Sequence, residues 1–245
     1  MSLSQNFLKT SESQSKSLPL VFALDEGYEQ AKIWIDRLHS KIWGFKVGSI
    51  LFAERGPDII REIKDQGSKV FLDLKYHDIG RTVQMAVRQS FKNGADWISI
   101  HASGGKAMLE LAAQEQTEDQ SLVAISVLTS LDQKDLLEIG FQKDLPHQVE
   151  DLAQLAFASG VRALVCSIKE VAQLKTKYPD RIFITPGVRL EASQDEQKRT
   201  GNLSEAFQQG SSFVVMGRSL YQSKDWKKTW EEVQFTMAEI RSSKL

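Results

Sequence analysis

Along the chain, short apolar runs alternate with segments in which apolar residues recur every three or four positions. The runs have the length of buried strands, and the periodic segments have the spacing of helices that bury one face. The clearest helix is the last, where steps of four, three, four and three residues join Trp226, Trp230, Val233, Met237 and Ile240. Eight strands are predicted, at residues 19–24, 43–47, 69–75, 97–100, 122–128, 162–166, 181–185 and 212–216.

Strands that alternate with helices through a chain of 245 residues predict an α/β protein, a single-domain (β/α)8 TIM barrel. An open doubly wound sheet is the competing architecture. The first strand–helix junction, Asp25-Glu26-Gly27-Tyr28, lacks the glycine-rich phosphate fingerprint of that fold. Residues 1–17 are rich in Ser, Gln and Lys and predict a flexible tail, so the barrel is expected over residues 18–245.

Composition and charge narrow the possible partners. A net charge of −1 provides no general attraction to nucleic acid or to an anionic membrane. No apolar run approaches the roughly 18 residues of a membrane span, and the N-terminus lacks the apolar segment of a signal peptide. The lone cysteine, Cys166, excludes an internal disulfide framework and suits a reducing compartment. We therefore expect a cytoplasmic protein that binds neither nucleic acid nor membrane.

The third predicted strand ends in an unusual group of charges. Asp73 and Lys75 close its apolar run, and Asp78 follows just beyond it. Alternation along a strand turns Asp73 and Lys75 to the same face. A surface ion pair is the usual explanation of Asp-x-Lys, but this strand is apolar on both faces, as buried parallel strands are. A lysine held cationic by two carboxylates suits a proton donor better than a base.

Other polar residues follow the predicted strands at the end where barrel enzymes carry their chemistry. Gly217 and Arg218 suit a phosphate group, because glycine admits close backbone approach and arginine can chelate a dianion. The polar loop at 187–201 is either a solvated connection or a lid, and a lid is favoured beside a phosphate site. His101 is either a substrate contact or a histidine of the barrel's polar layer. No histidine has the spacing of a metal site.

Seven motifs are typical of one family when they occur in this order. They are Ala23-Leu24-Asp25, Phe45-Lys46-Val47-Gly48, Asp73-Leu74-Lys75-Tyr76-His77-Asp78-Ile79-Gly80-Arg81-Thr82-Val83, Val127-Leu128-Thr129-Ser130, Thr185-Pro186-Gly187-Val188-Arg189, Asp195-Glu196-Gln197-Lys198-Arg199 and Met216-Gly217-Arg218. With them the chain resembles orotidine 5′-phosphate decarboxylase of the bacterial type. The long third-strand motif is the most specific of the seven.

The resemblance implies that orotidine 5′-monophosphate loses CO2 from C6 to give uridine 5′-monophosphate, the last step of UMP biosynthesis, without metal or organic cofactor. It also implies a homodimer in which each subunit completes its neighbour's site. The implied catalytic residues are Lys75, which protonates C6, with Asp73, Asp78 and Lys46 in the charged network around it. The implied substrate contacts are Asp25 and Lys46 on the ribose hydroxyls, Thr129 and Ser130 on the pyrimidine, Arg189, Gln197, Gly217 and Arg218 on the phosphate, Pro186 at the site, and Asp78, Ile79 and Thr82 from the neighbouring subunit.

Two rival functions are compatible with a barrel of this kind. A related sugar-phosphate enzyme, such as a keto-gulonate-phosphate decarboxylase or a hexulose-phosphate synthase, shares an acid-x-Lys-x-x-Asp strand but requires a divalent metal. A non-catalytic nucleotide-binding barrel is the second rival, and the intact Asp73, Lys75 and Asp78 argue against it. Turnover of orotidine monophosphate in the presence of a chelator separates these functions.

Overall fold

The computed structural model describes residues 17–190 and 201–242 and contains the predicted closed barrel. Eight parallel strands form it, and the order around the barrel is β1-β10-β7-β6-β5-β4-β3-β2. They are β1 Leu18–Leu24, β2 Ile42–Gly48, β3 Lys69–Tyr76, β4 Trp97–His101, β5 Ser121–Ile125, β6 Ala163–Val165, β7 Ile182–Thr185 and β10 Phe213–Met216. Two short strands, β8 Val188–Arg189 and β9 Gly201–Asn202, pair with each other outside the barrel.

Helices follow the strands around the outside of the barrel. In chain order they are α1 Tyr28–Leu38, α2 Ser49–Arg55, α3 Asp58–Asp65, α4 Gly80–Lys92, α5 Lys106–Ala113, α6 Gln133–Glu138, α7 Leu145–Ala158, α8 Ile168–Lys177, α9 Leu203–Gln208, α10 Arg218–Tyr221 and α11 Trp226–Ser242, with a short 3₁₀ turn at Ala102–Gly104. Four of the five residues on the predicted stripe of α11 are buried, and Trp226 packs partly buried against the core. None of the helices in the described ranges is long and apolar enough to cross a membrane.

The strand boundaries differ from the prediction mainly at β5. The apolar run predicted a strand over residues 122–128, whereas the observed strand ends at Ile125. Ile125 pairs with His101 of β4 on one side and with Val165 of β6 on the other, and both neighbours end at these residues. Residues beyond Ile125 therefore have no ladder to join, and they form the loop that leads to α6.

The core has two parts, one between strands and helices and one inside the barrel. Aromatic rings fill the lower interior: Trp43 stacks on Trp97 with ring centroids 3.7 Å apart, and Phe213 meets Trp97 edge-on at 4.9 Å. Moving up the inner face of β3, Phe71 is followed by Asp73. These rings close the amino-terminal end of the barrel interior. The polar carboxyl-terminal end is therefore the end that a ligand can reach.

Two predicted segments lie mostly outside the described residues. The predicted tail at 1–17 is described only at Ser17, whose carbonyl accepts a hydrogen bond from Arg241 at 3.0 Å. The predicted lid at 187–201 is described at 187–190 and at 201, so Gln197 lies outside the described residues.

Candidate active site

A cavity of about 230 Å³ lies at the carboxyl-terminal end of the barrel. Its walls combine an apolar side, which includes Ile125, Val127 and Val215, with charged and polar residues from several strand ends. Barrel enzymes carry their chemistry at this end because the loops after all the parallel strands meet there. Eight of the residues predicted from the sequence line the cavity: Asp25, Lys46, Asp73, Lys75, Thr129, Pro186, Gly217 and Arg218.

Four of these side chains form a row of alternating charges across three neighbouring strands. Lys46 Nζ of β2 lies 2.7 Å from Asp25 Oδ1, just beyond β1, and 3.5 Å from Asp73 Oδ2 of β3. The same Asp73 oxygen accepts a hydrogen bond from Lys75 Nζ at 2.8 Å. Each inner charge therefore has an opposite charge on both sides, which is the arrangement that makes buried ions tolerable.

The row keeps its two buried members charged. Burial by itself would raise the pKa of Asp73, but the positive charges of Lys46 and Lys75 outweigh it and the pKa is lowered. Burial would likewise lower the pKa of Lys46, and the carboxylates of Asp73 and Asp25 reverse the direction. Asp73 is thus a carboxylate and Lys46 an ammonium near neutral pH. The second oxygen of Asp73, Oδ1, is buried and has no hydrogen-bond partner among the described residues.

The strand that carries Asp73 and Lys75 is irregular where they occur. Leu72 pairs with Ile98 of β4, and the next β3 residue to pair with that strand is Tyr76, opposite Ile100. Lys75 has φ +52°, and it is the one non-glycine residue with positive φ in the described ranges. The two side chains do meet as predicted, but regular alternation is not the reason, because a bulge in β3 sets their directions.

The part of the cavity that follows β10, next to β1, allows a close approach to the backbone. A Cβ on Gly217 would lie 3.2 Å from the Ala23 carbonyl oxygen and from a Tyr221 ring carbon, so a larger residue fits only if these neighbours shift by a few tenths of an ångström. Gly217 precedes α10, and Arg218 and Ser219 line the cavity beside it. Ser219 Oγ is buried without a hydrogen-bond partner in the described part of the chain, and sequence reasoning did not select it. At the end of the neighbouring strand, β7, Pro186 precedes Gly187, whose φ of +70° favours glycine.

Several predicted site residues lie away from this cavity. Ser130 is exposed beyond Thr129 in the loop after β5. Asp78, Ile79 and Thr82 are exposed at the start of α4, and Ile79 is 72% exposed despite its apolar side chain. Within the described part of the chain Asp78 forms no ion pair with Lys75, and its carboxylate accepts the Ile79 backbone N–H at 2.6 Å. The backbone of Arg189 forms part of β8.

His101 stands at the end of β4 and packs against His77, with ring centroids 5.3 Å apart. Its pKa is lowered, first by partial burial and then by the charges of His77 and Lys75. The ring is not part of the cavity wall described above. This position agrees better with a histidine of the polar layer than with a substrate contact. Among residues 17–190 and 201–242, no group of three His, Cys, Asp or Glu side chains could hold a metal ion.

Comparison with known proteins bears on what this site does. Residues 18–233 match the family model described as "Orotidine 5'-phosphate decarboxylase / HUMPS family". A protein of Chromohalobacter salexigens named orotidine 5′-phosphate decarboxylase is 41% identical over 214 residues, covering 84% of this chain and 90% of the relative. A protein of the same name from Coxiella burnetii is 39% identical over 223 residues, covering 87% and 94%.

A solved structure also resembles the chain. The crystal structure of orotidine 5′-phosphate decarboxylase from Lactobacillus acidophilus has a TM-score of 0.78 and is 31% identical, covering 89% of this chain and 98% of that one. The likeness therefore extends over most of the chain.

Proposed function

This chain belongs to the orotidine 5′-phosphate decarboxylase / HUMPS family, and we propose that its charged cavity converts orotidine 5′-monophosphate to uridine 5′-monophosphate and CO2. The family description joins two activities, and both relatives, at 41% and 39% identity, are named for the first. The reaction places the enzyme in pyrimidine biosynthesis. The observation that supports it most directly is the row of alternating charges that ends in Lys75.

The chemistry requires fixed positive charge beside one carbon atom. When the bond between C6 and the carboxylate breaks, its electron pair stays on C6, and no adjacent carbonyl can delocalise it. A preorganised ammonium group stabilises such a charge strongly in a site shielded from water. Lys75 Nζ, held by Asp73 at 2.8 Å, provides this charge and then donates a proton to C6. The C6–H bond replaces the C6–CO2 bond, and the lysine regains its proton from solvent.

Asp73 and Lys46 prepare Lys75 for this role. Asp73 holds the Lys75 ammonium group in place by a 2.8 Å hydrogen bond, and Lys46 stabilises the Asp73 carboxylate from the other side at 3.5 Å. The Asp73 carboxylate also places a negative charge in the same site. Repulsion between Asp73 and the scissile carboxylate would raise the energy of the bound substrate, a second contribution to catalysis that adds to stabilisation of the carbanion.

The remaining cavity residues suit the rest of the nucleotide. Asp25 and Lys46, paired at 2.7 Å, offer an acceptor and a donor to the ribose hydroxyls. Thr129, with Ser130 next to it, is proposed to meet the pyrimidine edge. Arg218 and the Gly217 backbone are proposed to hold the phosphate, where amide donors and a guanidinium suit a dianion. Pro186 lines the cavity beside them, after β7, and Arg189 and Gln197 are proposed to complete the phosphate site from the proposed lid at 187–201.

A homodimer explains the residues that lie outside the chain's own cavity. Asp78, Ile79 and Thr82 are exposed at the start of α4, and Ile79 is apolar. We propose that all three reach the cavity of a second copy, where Asp78 becomes the second carboxylate beside Lys75. The single buried cysteine, Cys166, agrees with a cytoplasmic location for this dimer.

The test is loss of orotidine monophosphate absorbance with purified protein in excess chelator. Lys75→Ala should lower kcat by more than the roughly 10²–10⁴-fold typical of a lost general acid, because the charge and the proton disappear together. Lys134→Ala is the matched control, since its side chain is 83% exposed, and it should have normal activity. A Lys75→Ala variant with a tenth of normal turnover would contradict the proposed role of this residue.

The rival functions give different results in the same assay. No loss of orotidine monophosphate, together with turnover of a sugar phosphate that stops when chelator is added, would favour a metal-dependent sugar-phosphate enzyme. Binding of uridine monophosphate without any release of CO2 from the substrate would favour a non-catalytic nucleotide-binding barrel.

A further inference from the structure

The inner face of β4 carries a buried hydroxyl next to the catalytic lysine. Ser99 lies between Trp97 and His101 on this face, and its side chain is completely buried. Its Oγ accepts a hydrogen bond from the backbone N–H of Lys75 at 2.8 Å. The contact joins two strands and reaches the backbone of Lys75, not its ammonium group.

The Lys75 backbone needs such support. A φ of +52° places it in the left-handed region, which is unfavourable for a residue with a Cβ and persists only where the surroundings impose it. The bulge removes the usual support, because β3 and β4 pair at Leu72 with Ile98 and next at Tyr76 with Ile100. The Lys75 N–H consequently donates to the Ser99 side chain instead of a backbone carbonyl, and an N–H in this position must find an acceptor.

We propose that Ser99 is a positioning residue, which holds the left-handed backbone of Lys75 and so aims its ammonium group at Asp73 and at the reacting carbon. The proposal rests on the proposed function, because it assumes that Lys75 is the catalytic cation. Ser99 is not among the residues that line the cavity. Its hydroxyl also interacts with the Asp73 carboxylate and contributes to lowering the pKa of that group, so it supports both members of the Lys75–Asp73 pair. Its effect should therefore appear in the rate of the chemical step and not in nucleotide binding.

The physical reason is that the backbone conformation of Lys75 sets the direction of its side chain. Rotating φ of Lys75 towards negative values would swing the whole side chain away from its 2.8 Å contact with Asp73. A misplacement of about 1 Å at a reacting group can lower a rate by about 10²-fold. A carbanion at C6 is sensitive to this change because its stabilisation depends on a nearby, correctly directed charge.

Ser99→Ala removes the acceptor while keeping most of the buried volume. We expect it to lower kcat by about 10- to 100-fold, and to leave the affinity for uridine monophosphate within about twofold of the wild type. Ser99→Thr keeps the hydroxyl and should retain most of the activity. Ser121→Ala is the matched control: Ser121 is also a completely buried strand serine, but its hydroxyl has no partner among the described residues, so its kcat should stay normal.

Three results would overturn the proposal. One is a Ser99→Ala enzyme whose kcat is within twofold of the wild type. Another is a loss of kcat matched by an equal loss of nucleotide affinity, which would mean that the cavity as a whole had deformed. The third is a Ser99→Thr enzyme as impaired as Ser99→Ala, since the hydroxyl would then be irrelevant.

A structural readout separates this proposal from the proposed function. In a crystal structure of Ser99→Ala, φ of Lys75 should leave the left-handed region and the Lys75–Asp73 contact should lengthen beyond 2.8 Å. An unchanged Lys75 backbone would refute the positioning role whatever the enzyme's substrate. Wild-type protein that fails to decarboxylate orotidine monophosphate would instead refute the proposed function, while the backbone measurement would still decide the role of Ser99.

Discussion

Replacing Asp73 by Asn tests whether the row of charges supports the fold as well as the chemistry. The substitution keeps the shape of the side chain and removes one negative charge from between two cations. Lys75 Nζ and Lys46 Nζ lie 2.8 and 3.5 Å from the Asp73 carboxylate, whose side chain is only 10% exposed. Removing one member of a buried pair is strongly destabilising, because the other member keeps its desolvation cost.

The size of the effect can be estimated from these distances. At an effective dielectric constant of about 20, the two attractions amount to about 6 and about 5 kcal/mol before desolvation is subtracted. Measured losses for a broken buried pair are about 3–5 kcal/mol, and the 36% exposure of the Lys75 side chain reduces its share. The buried Lys46 can also lose its proton once Asp73 is gone, which limits the cost. We therefore expect Asp73→Asn to lower the free energy of unfolding by about 3 kcal/mol.

Calorimetry at one fixed protein concentration measures this loss. For a chain of this size, about 3 kcal/mol corresponds to a fall in Tm of about 6–12 °C. The pH dependence has a definite sign, because the pKa of Asp73 is lower in the folded protein than its ordinary value of 3.8. Its stabilising contribution is complete above that value and disappears as the pH falls through the folded pKa. The gap between wild type and Asp73→Asn should therefore be widest near neutral pH and close in acid.

An exposed ion pair provides the control. Asp58 pairs with Arg61, and both side chains are 62% exposed, so Asp58→Asn should cost less than about 1 kcal/mol. The reasoning is refuted if Asp73→Asn is as stable as Asp58→Asn near neutral pH. In that case the desolvation of the carboxylate would cancel its two attractions, and the row would serve catalysis alone.

Three further predictions concern the shared site and the phosphate. Mixing inactive Lys75→Ala and Asp78→Ala subunits should restore activity, because a mixed dimer has one site with both native residues; exchange of subunits without activity would contradict a shared site. Arg218→Ala should slow turnover of orotidine monophosphate by orders of magnitude and leave the slow turnover of orotidine, which lacks the phosphate, nearly unchanged, because binding energy from the phosphate contributes to kcat. Gln197→Ala should show the same selectivity more mildly, since a neutral hydrogen bond is weaker than a charge-assisted one. Equal losses on both substrates would mean that these residues support the fold and not the phosphate. Gly217→Ala should raise KM by about tenfold, because the added Cβ would lie 3.2 Å from the Ala23 carbonyl and from the Tyr221 ring, and the small shift that relieves these contacts would move the backbone amides of the proposed phosphate site. An unchanged KM would argue against backbone binding there.

Much of the fold and the cavity could be read directly from the order of residues. Each barrel strand and its helix carries a local pattern, either an apolar run or a stripe, so the alternation was visible without knowledge of distant contacts. Parallel strands then bring their carboxyl ends together whatever the details of packing. For this reason residues as far apart in sequence as Asp25, Lys75 and Arg218 could be assigned to one cavity, where the structure has them.

The tertiary structure decided the features that depend on pairing between distant residues. The left-handed backbone of Lys75 results from a bulge between β3 and β4, and nothing within β3 alone specifies where the ladder shifts. In the sequence, nothing distinguishes Ser99 from other strand residues. Its contact with the Lys75 N–H depends on the shift in register between β3 and β4. Likewise β5 ends at Ile125 because its neighbours end there, which leaves Ser130 exposed although the apolar run continues. Local sequence specifies which elements form and the order in which they occur. The register of the strands is set only when they pair, and the register in turn sets the direction of each catalytic side chain.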